Sequence, residues 1–103
     1  MVLTDYLGRN LMFTDERIAH ILDTHPEMSA QLGNIETTLK YPEIVIRSRT
    51  DQDVELIYKR FDVTPVTDKY LCVAVKTRYE DAFIVTSYFT NTIKKRAAVW
   101  ERK

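Results

Sequence analysis

The sequence predicts an α+β domain in which two N-terminal helices pack on one face of a four-stranded antiparallel sheet. Three observations predict it. Apolar residues recur at helical spacing to about residue 40, the pattern turns to strand-like alternation after Pro42, and the later connections are short enough for a meander. The chain of 103 residues fits one domain with a modest core, and its 45% apolar and 29% charged composition is ordinary for a globular protein.

A short strand or hairpin is expected before residue 14, because Leu11-Met12-Phe13 is apolar and Leu7-Gly8-Arg9-Asn10 reads as a turn. Thr14 is an N-cap residue, and Asp15 and Glu16 suit the positive end of the helix dipole. The first helix then runs over about residues 15–24, with Ile18, Ile21 and Leu22 on its buried stripe. Pro26 stops it and biases His25 away from helical geometry. The second helix spans about residues 27–40, since Met28, Leu32, Ile35 and Leu39 recur at helical spacing. Strands follow at about 44–49, 54–61, 70–76 and 82–90, and residues 94–103 form a basic tail.

Strand parity divides the side chains between two faces. Leu71, Val73 and Val75 belong to the core, together with Phe83, Val85 and Phe89. Tyr70, Cys72, Ala74 and Lys76 share the other face with Ile84, Thr86, Tyr88 and Thr90.

No apolar run approaches the length of a membrane helix, and the N-terminal residues lack the pattern of a secretory signal. Cys72 is the only cysteine, which excludes an internal disulfide and a cysteine-based zinc cluster and fits a reducing cytoplasm. Net charge is zero but uneven: three basic against seven acidic side chains over residues 1–43, and five against one over residues 94–103. The basic tail suits an anionic partner or a solvated end, but overall neutrality argues against tight nonspecific nucleic-acid binding.

Both histidines, His20 and His25, lie in one short segment, with Arg17 one turn before the first. Histidine is the side chain that exchanges protons near neutral pH. The run Arg17-Ile18-Ala19-His20-Ile21 with His25-Pro26, then Lys76 on a strand, then Val85-Thr86-Ser87-Tyr88-Phe89-Thr90, resembles the phage-associated branch of the barnase–EndoU–colicin–RelE-like nuclease superfamily. The resemblance spans about residues 13–100 and implies N-terminal helices on a four-stranded antiparallel sheet. It also implies a metal-independent ribonuclease of toxin type: a hydrolase-class, RNA-binding nuclease without a cofactor, acting in the cytoplasm and paired with an antitoxin or immunity protein. Carried over residue by residue, His20 and His25 would be base and acid, and Lys76 would stabilise the charge of the transition state. Thr86 and Tyr88 would hold the phosphate and a base, with Arg17 and Thr90 assisting in binding.

Geometry tests these assignments. Residues five apart on an ideal helix are separated by about 140°, so the histidines face one point only if the helix unwinds before Pro26. A site that joins the helix to Lys76 would also need strong sheet twist or a position at the sheet edge. The same residues also fit a binding or interaction module that does no chemistry.

Overall fold

Leu71, Cys72, Val73, Ala74 and Val75 are buried one after another. That continuous burial means the strand is covered on both faces, which is the condition of a central strand. It is the core of β5 (Tyr70–Arg78) in a computed structural model that describes residues 1–103. Around it lie β1 (Val2–Thr4), β2 (Asn10–Met12), α1 (Asp15–Thr24), α2 (Leu32–Lys40), β3 (Ile44–Arg47), β4 (Val54–Arg60), β6 (Asp81–Thr90) and β7 (Ala98–Glu101). The α+β class is as expected, but the four-stranded antiparallel sheet is not. The sheet has seven strands in the order β1-β2-β6-β5-β4-β3-β7, and it is mixed because β2 runs parallel to β6.

The expected strands form the middle, an antiparallel run from β6 to β3. The chain's two ends extend it. The N-terminal hairpin of β1 and β2 docks beside β6 through the single register pair Met12↔Phe83. The expected basic tail instead supplies β7, which pairs antiparallel with β3. The turn residues predict the hairpin but not its docking on β6, and β7 is too short to declare itself without its partner β3.

α1 keeps its expected bounds because its caps are strong. The Thr14 hydroxyl accepts from the Arg17 N–H at 3.1 Å, and Pro26 stops the far end. The second helix is shorter than expected. Pro26–Met28 make one 3-10 turn, Ala30 adopts φ +63°, and α2 starts at Leu32. A left-handed alanine breaks a helix, so the apolar spacing of Met28 and Leu32 crosses a bend.

Both helices pack on one face of the sheet. There Ile21, Ile35 and Leu39 meet Val45, Ile57, Leu71, Val73 and Val75. Fully burying each such side chain contributes about 1.5–3 kcal/mol. The opposite face carries a second cluster of Ile46, Leu56, Tyr58, Cys72 and Ala74, with Ile93 packed on it. That face is therefore not open along its length.

A bulge corrects the facing expected for β6. Ala74 pairs with Thr86 and Val75 with Ile84, leaving Val85 as the extra residue. One extra residue inverts the parity upstream of it. Ile84 accordingly joins the helix-side core, while Phe83 pairs with Lys76 on the other side and Val85 packs on the second cluster. Downstream, Thr86, Tyr88 and Thr90 stay on the face expected for them, opposite Ala74, Cys72 and Tyr70.

The loop after β1 reaches the far end of the strand order. Arg9 binds Asp5 through Nε and Glu55 of β4 through Nη2, both at 2.7 Å. The Tyr6 hydroxyl donates to the same Glu55 carboxylate at 3.2 Å, and its ring stands 5.2 Å from Trp100 of β7. Asp5 and Glu55 are buried, so each needs these partners. Replacing Arg9 with Met leaves two buried carboxylates short of a cation. The expected cost is about 2–4 kcal/mol, at the lower side of a broken buried pair because Arg9 is partly exposed. Urea unfolding of Arg9→Met against wild type checks it, and a Glu55→Gln change added to Arg9→Met should recover part of the loss.

Candidate functional site

Four of the candidate residues, His25, Thr86, Tyr88 and Thr90, lie at or beside the edge of β6. β2 meets β6 only at Phe83, so the rest of that edge has no strand partner. The end of α1 and the 3-10 turn lie against it instead. His25 is the C-cap of α1, with φ −135° and ψ 73°, and its backbone N–H still bonds the Ile21 carbonyl at 2.6 Å. Leaving helical geometry there swings the imidazole toward the sheet. Its ring centroid lies 5.6 Å from that of Tyr88, tilted by 32°. The turn forced by Pro26 returns Glu27, whose Oε1 sits 3.5 Å from His25 Nδ1.

A carboxylate beside Nδ1 favours the tautomer that carries its proton there, leaving Nε2 to accept one. His25 is half-buried, so that nitrogen is not sealed inside the core. The imidazole thus has a carboxylate near one nitrogen and an aromatic ring beside it, an arrangement compatible with proton transfer.

Tyr88 has its hydroxyl engaged inside the sheet face. Its hydroxyl and that of Tyr58 meet the Cys72 thiol between them. Burial, with the sulfur alongside, raises both phenol pKa values above the ordinary tyrosine range. Burial likewise pushes the Cys72 thiol up to about 11, which keeps it protonated and unreactive at neutral pH.

The structure brings His25 and Tyr88 into contact, with Thr86 and Thr90 on Tyr88's face. Thr86 is half-buried, and the Thr90 hydroxyl is engaged by the Thr92 backbone. Lys76 shares that face, but its ammonium is held 2.8 Å from Asp51 Oδ2. His20 and Arg17 are not part of the cluster. They lie on α1, on the other side of the sheet from Lys76, beside a polar hollow of about 320 Å³ that Thr14 and Glu16 complete. Arg17 also borders a second hollow, of about 450 Å³, against Asp81 and Phe83. The two histidines do not converge: one stays on the helix and is exposed, the other leaves it. Sequence reasoning misses Glu27 and Tyr58. The signal for Glu27 is its place directly after His25-Pro26; nothing local marks Tyr58.

No group of three His, Cys, Asp or Glu side chains is placed to hold a metal ion, and no helix is long and apolar enough to cross a membrane. No protein-family model matches the chain, and no curated protein or solved structure is significantly similar to it.

Two outcomes follow from the buried tyrosines and thiol. The Tyr6 phenol is pushed up to about 12, by burial and then by the Glu55 charge, and Tyr58 and Tyr88 are raised as well. Above pH 10 the unfolded chain releases phenolic protons that the folded chain retains. Stability should fall from about pH 9 to 12, first through the Cys72 thiol and then through the phenols, and Tyr88→Phe should reduce the slope of thermal melts across the upper part of this range. A thiol reagent at pH 8 should label Cys72 at the rate of unfolding, and quickly in denaturant. Fast labelling of the native protein would contradict the burial.

Proposed function

We propose that the protein is a metal-independent endoribonuclease of toxin type, with His25 as its proton-transferring group. The contact that carries this reading is His25 between Glu27 and Tyr88 at an edge free of strand pairing. RNA carries its own nucleophile, so cleavage needs a base, a positioned phosphate and a departing 5′-oxygen. His25 Nε2 takes the proton of a 2′-hydroxyl while Glu27 holds Nδ1–H. The 2′-oxygen bonds to phosphorus, the bond from phosphorus to the 5′-oxygen breaks, and that oxygen takes a proton from water. The products are a 2′,3′-cyclic phosphate and a 5′-hydroxyl. Thr86 lies beside Tyr88 on the same face and serves the phosphate. Such an enzyme acts in the cytoplasm and calls for an antitoxin or immunity partner.

Lys76 favours a second reading. Its ion pair with Asp51 removes the cation expected at the phosphate, which suits a module that binds RNA without cutting it. Incubation of single-stranded RNA with purified protein in chelator separates the two. Cleavage should fall by at least about 100-fold in His25→Ala and stay near wild type in His20→Ala. Equal cleavage by wild type and His25→Ala would sink the assignment, and binding without cleavage would select the second reading.

A further inference from the structure

After Thr90 the chain must travel from β6 to β7, which lies beyond β5, β4 and β3. It makes this crossing on the face away from the helices. Ile93 packs on the second cluster, and the backbone of Lys94 meets the Tyr58 hydroxyl. Residues 93–96 make no backbone–backbone hydrogen bond, so the Ile93 contact and the bond between the Lys94 main chain and Tyr58 hold them down.

Three consecutive cations, Lys94, Lys95 and Arg96, ride on this crossing. None is in an ion pair, and no other stretch of the chain sets three cations in a row. Arg96 Nε is also the single buried side-chain nitrogen or oxygen without a hydrogen-bond partner. A buried donor left unpaired is unfavourable, so this guanidinium gains an acceptor when the segment shifts to meet an anion.

We infer that the crossing segment, residues 91–97, is a strap that grips the phosphate backbone of single-stranded RNA through Lys94, Lys95 and Arg96. The inference rests on the reading that this protein acts on RNA. It supplies the cations that Lys76, tied to Asp51, does not. Single-stranded RNA is the fitting polyanion because the strap crosses the face that carries Tyr88 and Tyr70, and aromatic rings stack on unpaired bases. The strap's weak backbone hold lets it settle around a phosphate without disturbing the sheet.

The test is binding of a fluorescent 2′-O-methyl oligouridylate, which cannot be cleaved, by anisotropy between about 50 and 200 mM salt. Each phosphate contact on a single strand contributes about 0.7 to the slope of log affinity against log salt. Replacing Lys94, Lys95 and Arg96 together by Gln should flatten that slope by about 2 and weaken binding at least about 10-fold. Lys76→Gln should leave the slope unchanged. Lys94→Gln alone, flattening it by about 0.7, gives the same reading should the triple variant not fold. An unchanged slope in the strap variants overturns the inference while leaving the nuclease reading standing. A strap-dependent slope with no cleavage of ordinary RNA supports the strap and removes the nuclease. Wild-type binding to polyglutamate but not to the oligouridylate overturns the inference in favour of an acidic protein partner, with the nuclease reading decided separately by the cleavage assay.

Discussion

The helix-side core depends on Glu55 keeping its charge paired. That carboxylate sits in the middle of a sheet face, between Arg47 on one neighbour and Val75 on the other, with almost no access to water. It is tolerated because Arg9 and Tyr6 arrive from a loop that belongs to the opposite end of the strand order. The requirement is mutual. Asp5 holds Arg9 in place, accepting from its side chain and from the N–H groups of Leu7 and Arg9. Removing any member exposes the others to the cost of an unpaired buried group. The network thus specifies where the N-terminal hairpin goes, which backbone pairing through Met12 and Phe83 alone would leave loosely defined.

What is legible in the sequence follows from length. β4 and β5 have seven and nine residues, enough for pattern to separate strand from helix, and both stand out from their residues alone. The hairpin of β1 and β2 shows through its turn and the apolar Leu11-Met12-Phe13, whereas β7, with four residues in a basic tail, has no local pattern that distinguishes it from loop. The Val85 bulge is invisible for a different reason. A bulge belongs to a pair of strands, and β6 read alone shows unbroken alternation. Parity by itself therefore puts Phe83, Val85 and Ile84 on the wrong faces, while Thr86, Tyr88 and Thr90, beyond the bulge, fall on the right one.

The site divides along similar lines. Proline chemistry is enough to anticipate that His25 leaves the helix. Strand parity is likewise enough to place Lys76 on the face away from the helix that carries His20, and the sheet does separate them. The grouping of His25 with Tyr88 depends on where β2 stops: a longer β2 would occupy the edge against which the 3-10 turn now lies.

The single register pair between β2 and β6 has a kinetic side. Met12 and Phe83 are far apart in sequence, so closing that loop is entropically costly and adds few backbone bonds. Ladder bonds therefore hold the joint weakly, and the buried side chains of Leu3, Leu11 and Phe13 seat it instead. Past Phe83 the main chain of β6 is shielded by the end of α1 and the 3-10 turn, which keep that edge from templating a foreign strand.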